Sequence, residues 1–211
     1  MKTIKLLTLF IILISFTSCS TDNDDSLILA VETDTFLNLH APQEGGIDPS
    51  TGQPLPISGA FTKFDFASGE TTTSDTDWDI AFRATSIIIN GGVSLETTDE
   101  PIRTGDAAAY IATGTMPSIE SVDESLFEQD SSNGYVLSNW YTYAGPPSHL
   151  ITPTAGKIIV IKTREGKYAK IEILSYYKDA PDNPDAFVDE ERYYTFNYVY
   201  QPNEGDLSFN N

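Results

Sequence analysis

Two carboxylates bracket a tryptophan in TDWDIAFRATSIIINGG, residues 76–92, and paired carboxylates are the working groups of glycoside hydrolysis. On a strand, Asp77 and Asp79 would share one face about 7 Å apart, a separation compatible with such a pair. Glycosidases normally draw their two groups from different elements around a cleft, so the expected role here is capping of loop amides or pairing with Arg83. Gly91-Gly92 follows a strand-like run, the setting of a phosphate loop, but neither GxGxxG nor GK[ST] occurs, and the pair reads as a turn. Acyl transfer on a serine has no GxSxG to work from, and HExxH is absent. The two histidines, His40 and His149, are far apart in sequence, so a zinc site built on them would need carboxylates from elsewhere. The acidic run DAPDNPDAFVDE, residues 179–190, departs from the EF-hand pattern and reads as a solvated loop, with weak calcium binding left open. No constellation argues for an enzyme.

One further residue, the single cysteine, has chemistry of another kind. The chain opens MKTIKLLTLFIILISFTSCS, with Lys2 and Lys5 ahead of an apolar run, which is the layout of an export signal. A spanning helix needs about 20 apolar residues, and this run is shorter. Small residues lead directly into Cys19, which resembles the bacterial lipoprotein box, in which the thiol is acylated and becomes the first residue of the mature chain. Each buried acyl methylene contributes about 0.8 kcal/mol, so more than one chain anchors the protein without spanning the membrane. The following STDNDDS resembles the surface-export tag on lipoproteins of Bacteroidetes, and its composition is that of a solvated tether. The expected organisation is a leader at 1–18, a tether at 19–30 and one domain at 31–211, with lipid-anchored placement on the outer membrane, exposed at the cell surface.

Charge narrows the partners. The chain carries 12 Lys and Arg against 31 Asp and Glu, and loss of the leader removes two lysines and no acids. Nucleic-acid affinity rests on cations neutralising phosphates, so nucleic acid is excluded as the main partner.

These groups sit on elements whose period is two. β-branched and aromatic runs bounded by Gly, Pro, Asn and Asp recur at short intervals, which predicts an all-β domain of packed antiparallel sheets with long loops and at most one short helix. Strands are expected at 33–39, 61–66, 77–82, 86–90, 135–137, 140–143, 157–162, 168–177 and 192–200. Gly166 closes a hairpin between KIIVIK and KYAKIEILSYY. In RYYTFNYVY the side chains of Tyr194, Phe196, Tyr198 and Tyr200 share one face, the pattern of inter-sheet packing. Residues 41–59 are dense in Gly and Pro and are expected to run over the surface. Residues 95–133 form a second long loop, with a short amphipathic helix possible at 118–129, where Ile119, Val122, Leu126 and Phe127 fall on one face.

FTKFDFASGETTTSDTDWDIAFRATSIIINGG, NWYTY, GKIIVIKTREGKYAKIEILSYYKD and YYTFNYVYQP together resemble the HmuY family of haem-binding lipoproteins, from about Phe61 to Pro202. The resemblance makes the 76–92 stretch a scaffold signature, with Trp78, Ile80 and Phe82 in the core and Asn90, Gly91 and Gly92 shaping a turn. It also implies a haem-scavenging protein that holds the porphyrin in an open groove between two axial ligands from loops, histidines in some members and methionine in others. Partners implied are haem, host or environmental haemoproteins and a TonB-dependent outer-membrane haem receptor. The position aligned with a ligating histidine holds Gly145 here; His149 lies four residues on in the same loop, and Met116 is the methionine in the other ligand region. Imidazole nitrogen and thioether sulfur both bind haem iron, so His149 and Met116 are the expected axial ligands, with Tyr110, Tyr141, Tyr143 and His40 behind them. Two function classes follow: a haem-binding surface lipoprotein, and a surface interaction or glycan-binding module on the same scaffold with haem binding lost.

Overall fold

The computed structural model describes residues 28–48 and 50–210, so the expected leader, Cys19 and most of the expected tether lie outside the described residues. Thirteen strands are present among the described residues: β1 (Glu32–His40), β2 (Glu44–Ile47), β3 (Pro54–Ser58), β4 (Thr62–Asp65), β5 (Glu70–Thr72), β6 (Ile80–Arg83), β7 (Ser86–Ile89), β8 (Ala108–Thr113), β9 (Tyr141–Tyr143), β10 (Ile151–Pro153), β11 (Lys157–Lys162), β12 (Tyr168–Tyr177) and β13 (Glu191–Gln201). They form a five-stranded sheet in the order β1-β13-β12-β11-β8, a four-stranded sheet in the order β5-β4-β6-β7, and two ribbons, β2-β3 and β9-β10. All their pairings are antiparallel.

Period-two patterning decides which faces meet. Ala169, Ile171 and Ile173 of β12 and the aromatic stripe of β13 face the same core as Phe64, Ile80, Phe82, Ile87 and Ile89 of the four-stranded sheet. Rings interlock across that layer: Phe82 lies 4.8 Å from Tyr194, and Phe64 meets Phe196 edge-on at 5.4 Å. The aromatic stripe is therefore inter-sheet packing, as its spacing predicts. Both sheets are also covered on their outer faces, which is why β7 reads as an unbroken apolar run. Ile88 points outward to join Phe61, Trp78 and Ala81, while Val160, Tyr168 and Val199 of the large sheet pack beneath Val122 and Phe209.

Several expected elements differ. The strand expected at 77–82 begins at Ile80, because Asp77 closes a turn with Ser74 and the buried Asp79 is spent on loop amides. The helix expected at 118–129 is replaced by two 3-10 turns, Met116–Ser118 and Glu124–Leu126. Its backbone is bonded outward instead: Val122 N–H donates to Leu207 O, and Ala109 and Glu128 exchange both bonds. The strand expected at 135–137 is irregular chain. The Gly- and Pro-rich loop at 41–59 contains the β2-β3 hairpin, whose Pro54 and Pro56 lie exposed on an edge where no N–H is needed. β8 lies inside the second long loop.

The NGG turn is fixed by close approach. Asn90 is fully buried, and its side chain accepts from the amides of Thr104 and Gly105 and donates to Trp78 O. A Cβ at Gly91 would stand 1.9 Å from Ala107 O. Gly91→Ala is therefore expected to lower stability by about 1–3 kcal/mol through forced backbone displacement, read as a lower urea midpoint with an unchanged m value.

Candidate functional site

The acidic pair does not form a catalytic site. Asp77 is exposed and accepts from Ser74 Oγ at 3.0 Å. Asp79 is 1% exposed and accepts from the amides of Phe66 and Arg164, both at 2.9 Å. Its ion-pair partner is Arg164 at 3.3 Å, which also grips Asp65 at 2.6 Å. Arg83, the partner expected for this pair, instead donates to Gly59 O, Thr98 O and Thr97 Oγ1 and lies over the Phe61 ring. Asp79 thus ties the 76–79 turn to the Gly166 hairpin, which is a scaffold role.

Met116 opens the first 3-10 turn, on the outer face of the large sheet. It lines a groove of about 530 Å³ with Thr33, Thr35, Pro117, Lys170 and Val199. Lys170 is 4% exposed, and its ammonium fastens this turn to the sheet by donating to Met116 O at 2.6 Å and Ile119 O at 2.7 Å. Burial pushes the Lys170 ammonium below its ordinary range. The thioether is half-buried beside this groove.

His149 lies at the opposite end of β12, in the loop joining β9 to β10. The loop contains a cis Pro146-Pro147 bond, and His149 has a left-handed φ of 52°. For a residue with a Cβ that conformation costs about 1–2 kcal/mol, and the loop holds it with the His149 amide donating to Gly145 O at 2.8 Å. Gly145, at φ 69°, has open space where its side chain would be. The imidazole is exposed, and its Nδ1 is hydrogen-bonded to Tyr143 Oη. Across the ring stands Phe187, edge-on at 5.9 Å.

The structure does not bring Met116 and His149 together. Met116 is bonded to Lys170, whereas the His149 hairpin is anchored by Ile151 N–H donating to Tyr177 Oη. Seven residues of strand separate those two anchors, about 20 Å. Of the other expected donors, Tyr110 is buried under the outer cluster and accepts from Asp123 N–H, and His40 stacks on Tyr193 at 4.4 Å. Tyr141 packs on Trp140 at 4.9 Å. Tyr143, 50% exposed, is the one that shares a hydrogen bond with His149.

Phe187, which stands against His149, belongs to a segment that pattern reading assigns only to a solvated acidic loop. Phe187 is 73% and Val188 77% exposed, held in place because Asp185 accepts from Phe187 N–H and Asp189 from Asp185 N–H. A groove of about 460 Å³ runs beside the hairpin, lined by Pro147, Leu150, Pro184, Ala186 and Phe187 together with the polar Ser148, Asn183 and Asp185. The available signal was the apolar triplet AFV inside an otherwise acidic run. An exposed imidazole and phenol joined by a hydrogen bond beside Phe187 are side-chain types that ligate haem iron, so the donor chemistry here fits haem. No described helix is long and apolar enough to cross a membrane.

Solved structures similar to this chain include an apo HmuY analogue of Tannerella forsythia, at 14% identity, covering 83% of this chain and 99% of that one with a TM-score of 0.49. A candidate HmuY-like haem-binding protein of Bacteroides vulgatus ATCC 8482 is 14% identical, covering 82% and 93%, with a TM-score of 0.49. A candidate lipoprotein of Bacteroides fragilis NCTC 9343 is 18% identical, covering 82% and 92%, with a TM-score of 0.45. No curated protein matches the chain. The family model described as HmuY protein matches residues 59–198, which includes both sheets' inner strands and the His149 loop. With well over half of its length matched, the chain belongs to the HmuY family.

Proposed function

We propose that this protein is a surface lipoprotein that binds haem and hands it to an outer-membrane uptake receptor. The observation that carries the reading is the exposed His149–Tyr143 pair, with Phe187 against the imidazole, on a HmuY scaffold. The porphyrin would lie against Phe187 and the Pro147–Leu150 side of the loop, with iron at the His149–Tyr143 pair. Met116 is carried forward as the other candidate ligand, in its own groove. When bound, the haem iron supplies the Lewis acid that these donors recognise; the chain supplies orientation and apolar cover. A surface module without haem remains the second reading, favoured by Gly145 standing at the position aligned with a ligating histidine.

Titration of the protein with haemin decides between them. Binding is expected to give a stoichiometric Soret band that His149→Ala weakens strongly and Met116→Ala leaves in place at the hairpin. A Soret band lost only in Met116→Ala would move the site to the Lys170 groove, and no band in the wild type would favour the second reading. The anchor is tested separately: Cys19→Ala is expected to shift the protein from the membrane to the soluble fraction, and retention in the membrane would sink the lipoprotein reading.

A further inference from the structure

The Tyr143–His149 hydrogen bond bears on which atom meets the iron. The two donors are joined directly, so they cannot lie on opposite faces of one porphyrin; one binds and the other supports it. A phenol is the stronger hydrogen-bond donor of the two, and the bare nitrogen of a neutral imidazole is the stronger acceptor. The favoured arrangement therefore has Tyr143 Oη–H donating to His149 Nδ1, which leaves the imidazole proton on Nε2. In that tautomer the outward nitrogen has no free lone pair, whereas the phenol oxygen has two.

Resting on the haem reading above, we infer that Tyr143 is the iron ligand and that His149 is the residue that positions its oxygen. Ligation of ferric haem by the Tyr143 oxygen would break its O–H bond and release the proton to solvent, with no electron exchanged. Before ligation, the hydrogen bond to His149 Nδ1 fixes where the phenol oxygen stands. The hard phenolate oxygen favours the ferric over the ferrous state, so the site would be selective for oxidised haem. Placement agrees with this division of labour. Tyr143 ends β9, a regular strand paired with Ile151, while His149 is held in a left-handed conformation whose geometry brings Nδ1 to the phenol.

Two measurements on the full chain test it. In the ligand-free protein, long-range nitrogen–proton NMR is expected to find His149 with its proton on Nε2; a proton on Nδ1 overturns the assignment without touching haem binding. In haemin titrations, the wild type is expected to show a high-spin ferric spectrum with a phenolate-to-iron charge-transfer band that disappears on reduction. Tyr143→Phe should lose that band and at least 100-fold in affinity, while His149→Ala should keep the band and lose about 10–100-fold, the usual size of a supporting contact. A low-spin imidazole spectrum that survives in Tyr143→Phe overturns the inference and leaves the haem reading standing. No binding in the wild type overturns both.

Discussion

Asp79→Ala is expected to lower stability by about 3–5 kcal/mol, with a fall in Tm of about 10 °C, while Asp77→Ala changes it by less than about 0.5 kcal/mol. The two residues are two positions apart and look equivalent on paper. Asp79 is nevertheless almost fully enclosed, and its oxygens receive the amides of Phe66 and Arg164 together with the Arg164 guanidinium. Truncation leaves two amides without an acceptor and leaves Arg164 paired with Asp65 and the more exposed Glu165. Asp77, by contrast, is exposed and bonds only to neighbours in its own turn, where water replaces it. Chemical denaturation of both variants checks the difference. Equal, small losses would mean that the Asp65–Asp79–Arg164 cluster contributes nothing that solvent cannot supply.

The contrast between these two acids also marks how far pattern reading goes. β11, β12 and β13 could be placed nearly to the residue, because each carries a long period-two pattern whose apolar face leaves one register. β8 was hidden by its composition: AAYIAT is rich in alanine, which has weak strand preference, and it becomes a strand by pairing with β11. The 118–129 segment has helical spacing, yet its backbone groups find partners on Leu207 and Ala109, and tertiary pairing overrides local periodicity. Trp78 belongs to the core as expected, but to the outer layer rather than the layer of Ile80 and Phe82.

The candidate site was legible residue by residue and not as an arrangement. His149, Met116 and Tyr143 each announce a donor atom, and their types alone cannot say which of them share a surface. Met116 and His149 are separated by the length of β12, a fact that emerges only once Lys170 and Tyr177 are seen to anchor their respective loops. Phe187 and Val188 were read with the acids around them, although it is those acids, bonding back to the 185–189 backbone, that hold the two apolar side chains outward. Acidic composition therefore concealed an apolar surface.

Trp78→Ala is expected to cost about 3–5 kcal/mol and to leave the properties of the His149 hairpin unchanged in whatever fraction stays folded. The ring has 0% exposure, packs with Phe61, Ala81 and Ile88, and donates from Nε1 to Asp75 O at 3.2 Å. Removing it opens a cavity on the outer face of the four-stranded sheet and leaves the Asp75 carbonyl without that donor. Asn90 donates to Trp78 O, a backbone carbonyl that alanine keeps, so the NGG turn retains that bond and the loss is centred on the Phe61–Ala81–Ile88 cluster. The hairpin carrying Tyr143 and His149 is anchored instead to Tyr177 on the other sheet, with the inter-sheet core between the two regions. Melting and haemin titration of Trp78→Ala separate these effects. A variant that melts like the wild type yet loses its ligand would place WDIAF in the site, whereas a large drop in Tm with the remaining folded protein binding normally is the behaviour of scaffold.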